Sequence, residues 1–124
     1  MGEENELRIV QAIETVRCGA SCTEEELHEQ VARALAACGI EPEHEVRLAP
    51  RCRIDFMCGD VGVEIKKNKP DRAKLILQLT RYAACDRVRV LVVAAPRGVR
   101  LPDRISGKPI IMVALERLWG ISLP

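Results

Sequence analysis

The chain has 124 residues, of which 48% are apolar and 30% are charged, a composition typical of a single globular domain. Nineteen Lys and Arg residues nearly balance eighteen Asp and Glu residues, so the net charge of +1 does not by itself indicate a polyanionic partner. The chain has one Phe, one Tyr and one Trp, which argues against a surface that stacks single-stranded bases. No apolar run is long enough for a transmembrane helix, and the N-terminus is acidic, unlike a secretory signal. We therefore expect a cytoplasmic protein that does not associate with a membrane.

Six cysteines are present, but no pair has the C-x-x-C spacing of a zinc or redox site. Small disulfide-rich proteins also lack the long Val, Ile and Leu runs of this chain. The sequence therefore favours buried, chemically inert thiols. A metal site or a disulfide at Cys18 and Cys22 is the alternative.

Two helices are predicted in the first third of the chain. Apolar residues at helical spacing predict the first over residues 4–17. Its expected buried stripe consists of Leu7, Val10, Ile13 and Val16. Thr23 and Glu26 form a capping-box pattern that opens a second helix over residues 23–38. The first helix is expected either to pack on the domain or to form a homodimer interface.

Strand patterns follow from residue 43, where the apolar period changes to two. Breaks at Pro50 and at Gly59-Asp60 divide this region into three short strands. A basic stretch then leads to Asp71, a plausible N-cap for a helix over residues 72–85. The apolar run over residues 88–95 is typical of a strand that is buried on both faces.

The C-terminal region is expected to contribute smaller elements to one mixed α/β domain over residues 1–124. We predict a loop, a strand and a short helix, at residues 96–107, 109–113 and 115–119. Within the domain, residues 1–20 carry the additional first helix. Residues 23–95 form the core, and residues 96–124 supply the C-terminal strand and helix.

The middle strands predict a hairpin with a type II′ turn at Gly59-Asp60. The resulting register gives one apolar face, made of Ile54, Phe56, Cys58, Val61, Val63 and Ile65. On the other face, Asp55 lies opposite Glu64, and Arg53 lies opposite Lys66. Like charges in directly opposed positions destabilise a sheet. This pattern therefore favours either a divalent cation between the carboxylates or, with equal weight, the polar outer face of an ordinary hairpin.

A carboxylate pair beside a lysine has the chemistry needed for metal-assisted hydrolysis of a phosphodiester. On the next predicted helix, Gln78 and Tyr82 are four residues apart and share one face. Their side chains are suited to hydrogen bonds with a phosphate or with a metal-bound water. A half-buried tyrosine beside a solvated glutamine is the alternative.

These residues together resemble the PD-(D/E)XK nuclease superfamily. Asp55 is followed, after eight intervening residues, by Glu64-Ile65-Lys66 and then by the helix with Gln78 and Tyr82. The resemblance covers about residues 23–95 and is strongest to small phage and prokaryotic nucleases, including Holliday-junction-resolvase-like domains. It implies a restriction-endonuclease-like αβββαβ core, in which helices flank a mixed central sheet.

The resemblance also implies the roles of individual residues. Asp55, Glu64 and the backbone carbonyl of Ile65 would bind Mg²⁺ or Mn²⁺, and Lys66 would be the catalytic lysine. Gln78 and Tyr82 would match the motif of the helix that follows. Asp55 follows Ile54, where the family often has a proline.

Many members of this superfamily carry a further glutamate on the first core helix. Glu24 is the candidate here, and His28 shares the inward stripe of the same predicted helix. Glu45, on the strand before the hairpin, is another acidic candidate, although a solvated strand residue is the favoured interpretation.

Basic residues near the predicted site are expected to contact DNA phosphates. They are Lys67, Lys69, Arg72, Lys74 and Arg81. Arg97, Arg100 and Arg104, in the predicted loop, either extend this surface or, with equal weight, do not. The sequence thus predicts a metal-dependent deoxyribonuclease. A non-cleaving nucleic-acid-binding module within a larger complex is the first alternative. The second is an interaction protein whose hairpin charges are accidental.

Overall fold

Three helices and a six-stranded sheet make up the fold in the computed structural model, which describes residues 2–19 and 21–116. The elements in chain order are α1 (Gly2–Glu14), α2 (Glu24–Ala37), β1 (Glu43–Ala49), β2 (Cys52–Cys58), β3 (Val61–Ile65), α3 (Arg72–Ala83), β4 (Val90–Ala95), β5 (Arg104–Ile105) and β6 (Lys108–Ala114). Within these ranges, no helix is both long and apolar enough to cross a membrane.

The strands are arranged in the order β1-β2-β3-β4-β6-β5. β1, β2 and β3 are antiparallel, β3, β4 and β6 are parallel, and β5 is antiparallel to β6. The predicted mixed α/β class and the mixed sheet are therefore confirmed. The short strand β5 lies inside the predicted loop 96–107, and most of the predicted helix 115–119 lies outside the described residues.

Helices cover both faces of the sheet. Residues of α1 and α2 form one apolar cluster with Phe56, Val61 and Val63. Residues of α3 form a second apolar cluster on the opposite face, with Met57 and Leu91. All six residues of β4 are buried, as predicted from its continuous apolar run, because β4 lies between two strands and two helical layers.

The predicted orientation of α1 is partly wrong. Leu7 has 56% of its surface exposed, whereas Ile9, Ala12 and Ile13 are buried. The positions 9, 12, 13 and 16 follow the same helical spacing as the predicted stripe, so the pattern alone did not fix the rotation of the helix. α1 packs on α2 and on the sheet, which is one of the two alternatives predicted for it.

The β2–β3 hairpin has the predicted register near its turn. Phe56 pairs with Val63, Met57 with Gly62, and Cys58 with Val61. Gly59 has φ 65°, the positive value that the first central residue of a type II′ turn requires.

The predicted apolar face of the hairpin is confirmed for five of its six residues, which all belong to the α2-side cluster: Phe56, Cys58, Val61, Val63 and Ile65. The sixth, Ile54, lies on the other face, and the expected polar character of that face is wrong. Ile54 belongs to the α3-side cluster together with Met57, while Phe56 belongs to the α2-side cluster. Regular alternation would put Ile54 and Phe56 on one face, so the strand is irregular at Asp55. Helix α3 covers the face that was expected to be polar, and Met57 is fully buried there.

Side-chain caps fix the starts of the two helices that flank the hairpin. At α2, the Thr23 hydroxyl accepts from the Glu26 amide at 3.1 Å, and the Thr23 amide donates to Glu26 Oε1 at 2.8 Å. The predicted capping box is thus confirmed. At α3, Asp71 Oδ1 accepts from the Lys74 amide at 3.1 Å, which confirms the predicted N-cap.

Cys18 and Cys22 form a disulfide in the loop between α1 and α2, with Cα atoms 5.6 Å apart. The preference for inert thiols is therefore wrong for this pair, and the disulfide alternative holds. Cys52 and Cys58 are buried free thiols, and burial raises the pKa of Cys58 to about 11. These two residues agree with the prediction of inert thiols.

Gly62 provides a test of how closely β3 packs against its neighbours. A Cβ atom at this position would lie 2.6 Å from Ile54 Cδ1 and 3.0 Å from Leu91 Cδ2. We expect Gly62→Ala to lower the free energy of unfolding by about 1–3 kcal/mol, measured by urea denaturation. Gly19→Ala is the matched control, because a Cβ atom there would meet nothing within 4 Å. Equal stability of the two variants would show that the packing around Gly62 is looser than described.

Candidate functional site

The candidate site lies where β2 and β3 stop pairing. Asp55 Oδ2 accepts a hydrogen bond from the Ile65 amide at 2.8 Å, in place of a backbone carbonyl of the opposite strand. In return, Glu64 Oε1 accepts from the Asp55 amide at 3.4 Å. Each carboxylate therefore bonds to the backbone of the other strand, and both acids are anchored where the strands part.

Glu64 is the buried member of the pair, with 4% of its surface exposed. Its Oε2 lies 3.2 Å from the Lys66 ammonium, and its Oε1 lies 3.0 Å from the Tyr82 hydroxyl. Burial and the nearby charge of Asp55 raise the pKa of Glu64 to about 7, although Lys66 and Tyr82 oppose this rise. Buried carboxyl groups with strongly raised pKa values are typical of functional sites.

Helix α3 brings the predicted Gln78 and Tyr82 to this carboxyl group. Tyr82 is only 1% exposed, so the alternative of a half-buried tyrosine does not describe it. Its hydroxyl accepts from Gln78 Nε2 at 2.9 Å and lies 2.9 Å from the Arg53 carbonyl. Because the hydroxyl has one proton, it donates either to that carbonyl or to Glu64. Burial and the charge of Glu64 raise the pKa of Tyr82, so this proton stays on the hydroxyl.

Asp55 faces the opposite side of the sheet, towards α2. Its Oδ2 lies 3.7 Å from His28 Nε2, and its side chain is 18% exposed. Burial raises the pKa of Asp55, whereas the bond from the Ile65 amide and the charge of His28 act in the opposite direction.

His28, Glu45 and Asp55 form a cluster of possible metal ligands. One ligand atom from each lies within 4.8 Å of the others. His28 Nε2 is buried and has no hydrogen-bond partner in ranges 2–19 and 21–116. One imidazole nitrogen and two carboxylates fit a divalent cation. Glu45 lies between His44 and Val46, which pair with Phe56 and Ile54 of β2, and it has the unusual φ of 53°.

The sequence placed Glu24 at the site, but the structure places it on the rim. Its side chain is 63% exposed, and its Oε2 lies 3.7 Å from His28 Nε2. His28 thus lies between Glu24 and Asp55. All three line one side of a cleft of about 960 Å³ between α2 and β1–β2.

The predicted DNA-contacting residues are not all in one place. Lys74 and Arg81 line a second cleft of about 430 Å³ together with Lys66 and Gln78. Lys67 is half-buried and Lys69 is exposed, and neither lines this cleft. Arg72 instead donates from Nε to the Arg100 carbonyl at 2.6 Å.

Comparisons of the chain with known protein families, with curated proteins and with solved structures found no match.

The buried Glu64 predicts a specific pH dependence of stability in the absence of metal. Its pKa is 4.5 ordinarily and about 7 when folded, so the folded chain holds a proton that the unfolded chain releases. The wild type therefore loses stability as the pH rises through this interval. The amide side chain introduced by Glu64→Gln is neutral at every pH. We therefore expect the free energy of unfolding of this variant to be about 1–3 kcal/mol higher than that of the wild type at pH 8.

Thermal and urea unfolding in EDTA at pH 8 and at pH 4.5 tests this prediction. The advantage of Glu64→Gln should shrink towards zero at the lower pH. Asp86→Asn, at an exposed aspartate, is the control and should show no such difference. A Glu64→Gln protein that is less stable than the wild type at pH 8 would contradict the prediction.

Proposed function

We propose that the protein is a metal-dependent deoxyribonuclease with the restriction-endonuclease-like fold of the PD-(D/E)XK superfamily. The observation that carries this proposal is the convergence of Asp55, Glu64 and Lys66 where β2 and β3 part. Two carboxylates bond across the gap, and the Lys66 ammonium lies 3.2 Å from Glu64. Such a set of groups has the chemistry for metal-assisted hydrolysis of a phosphodiester.

The order of the elements supports the proposed fold. From α2 to β4, the chain forms a helix, three antiparallel strands, a crossover helix and a strand parallel to β3. This is the αβββαβ order of the family. Asp55 lies on the second strand and Glu64 on the third, Lys66 directly follows the third strand, and the crossover helix carries Gln78 and Tyr82.

The donor set suits a divalent cation, Mg²⁺ or Mn²⁺. Asp55, Glu64 and the Ile65 carbonyl would hold it, with His28 and Glu45 adjacent to Asp55. The imidazole of His28 favours Mn²⁺, because Mg²⁺ prefers oxygen ligands. When bound, the cation would polarise the scissile phosphate and lower the pKa of an attacking water.

The protein's own groups have separate tasks in this proposal. The Lys66 ammonium orients the attacking water and offsets negative charge that develops on the phosphate. Tyr82 and Gln78 hold the Glu64 carboxyl in one orientation through their chain of hydrogen bonds. Lys74 and Arg81 contact the phosphates of the bound DNA, which positions the substrate without reading its sequence.

Two further expectations belong to the same proposal. The nuclease would act in the cytoplasm, and a homodimer would let two sites cut the two strands of a duplex.

Cleavage assays test the proposal directly. Labelled linear duplex, single-stranded, flap and four-way-junction DNAs are incubated with Mg²⁺, Mn²⁺ or EDTA. We expect metal-dependent cleavage that Asp55→Asn and Lys66→Ala each reduce at least about 100-fold. Asp86→Asn and Lys108→Ala are the matched controls and should cleave like the wild type. Lys108 donates to the Cys85 carbonyl and lines neither cleft.

Cleavage that persists in both site variants would show that another group, or a contaminant, hydrolyses the DNA. Wild-type protein that binds DNA without cutting it would favour the non-cleaving binding module instead.

Metal binding has its own test in thermal unfolding. A cation that binds only the folded chain stabilises it, by about 2.7 kcal/mol at 100 times its dissociation constant. We expect Mn²⁺ to raise the melting temperature of the wild type and His28→Gln to weaken this effect. Asp55→Asn should abolish the shift, whereas Asp86→Asn should retain it. An equal shift in all four proteins would place the metal elsewhere.

A further inference from the structure

Three arginines lie in and beside the turn between β1 and β2. Arg47, Arg51 and Arg53 are all exposed, and they line a small cavity of about 340 Å³ together with Cys52. Arg47 and Arg53 are direct cross-strand partners. Because like charges in opposed positions destabilise a sheet, this arrangement works against the fold.

Little in the structure offsets this positive charge. Arg53 pairs with Glu45 at 3.4 Å, but both side chains are more than half exposed, so the pair is weak. The guanidinium groups of Arg47 and Arg51 form no hydrogen bond or ion pair with residues 2–19 and 21–116. Arg51 also has φ 59°, which is uncommon outside glycine. A bound polyanion would relieve the repulsion among these three side chains.

The three arginines lie next to the candidate site. Cys52 and Ile54 are buried against α3, so the alternation of β2 directs Arg53 and Asp55 to the opposite face. Two residues along a strand span about 6.7 Å, which puts Arg53 next to Asp55. The Arg53 carbonyl also contacts the Tyr82 hydroxyl, which in turn contacts Glu64.

The other side of the site has the opposite charge. Glu24, Glu25 and Glu29 line the rim of the larger cleft at the start of α2, and Arg33 pairs there with Glu29 at 3.9 Å. A strand of nucleic acid that leaves the site is therefore repelled from the α2 rim and attracted to the β1–β2 turn.

We propose that Arg47, Arg51 and Arg53 form a phosphate-binding surface that holds the nucleic-acid backbone beside the site. The inference rests on the proposed function for the identity of its ligand, which is the substrate of the same site. Guanidinium groups bind phosphates in bidentate fashion and stay charged at every relevant pH. The contacts are with the backbone alone, so the surface does not select a base sequence.

Binding as a function of salt concentration tests the inference without requiring cleavage. The double variant Arg47→Gln/Arg53→Gln and the wild type are titrated with fluorescent duplex DNA in EDTA over a range of salt concentrations. The loss of two phosphate contacts should weaken binding at least about 10-fold at low salt. It should also reduce the slope of log affinity against log salt by about 1.8.

Two controls separate lost contacts from lost structure. Arg33→Gln removes an exposed arginine on the acidic rim and should leave the slope unchanged. The melting temperature of the double variant without DNA should equal or exceed that of the wild type, because the opposed charges are gone.

The outcomes distinguish this inference from the proposed function. A wild type that cuts DNA but has the same salt slope as the double variant overturns the inference and leaves the nuclease standing. A wild type that never cuts but shows the expected difference in slope supports the inference and overturns the nuclease. Absence of DNA binding overturns the inference, as does binding to phosphatidylserine vesicles in place of DNA.

Discussion

Two hydrogen bonds between carboxylates and backbone amides replace the β2–β3 ladder at the point where these strands part. The stronger joins Asp55 Oδ2 to the Ile65 amide at 2.8 Å, and the other joins Glu64 Oε1 to the Asp55 amide. Without them, the amides of Asp55 and Ile65 would have no partners in a partly buried place, which proteins rarely tolerate. Because the carboxylates take the place of backbone carbonyls, β2 and β3 can separate without leaving these amides unpaired. The same two hydrogen bonds fix Asp55 and Glu64 where the strands separate.

The surface charge differs between the regions around the place where β2 and β3 separate. Glu64 is buried on the face that α3 covers, where Lys66 and Tyr82 compensate its charge. Asp55 faces α2, whose N-terminal turn is acidic, while the β1–β2 turn beyond it is basic. The place where β2 and β3 separate therefore has the buried Glu64 on the α3 face of the sheet. On the other face, the surface charge changes from negative at the start of α2 to positive at the β1–β2 turn. A symmetric surface would not orient an anionic ligand in this way.

Local rules predict the parts of this fold that depend on neighbouring residues. Gly59 and the alternation around it predict the hairpin register, and the continuous apolar run predicts the buried strand β4. The meeting of His28 and Glu45 with Asp55 depends instead on how α2 lies over two strands, which no local pattern encodes. The irregularity of β2 at Asp55 is equally invisible, because it arises from side-chain bonds between separate strands. The prediction of which face of α1 is buried was partly wrong for a related reason. Two sets of apolar residues with helical spacing are present in this helix, and the local pattern does not decide which set faces the core.

The sheet order leaves β1 at one edge, and this edge is poorly suited to accept another strand. Glu45 has φ 53°, and the pairing of β1 with β2 shifts between Arg47 and Ala49. Such breaks twist an edge strand out of the plane that a second chain would need for continuous hydrogen bonding. At the other edge, β5 has two residues, and Pro109 in β6 has no amide hydrogen to donate. These features disfavour the addition of a strand from a second molecule at β1 and at the short pairing of β5 with β6, so aggregation through these two places is disfavoured.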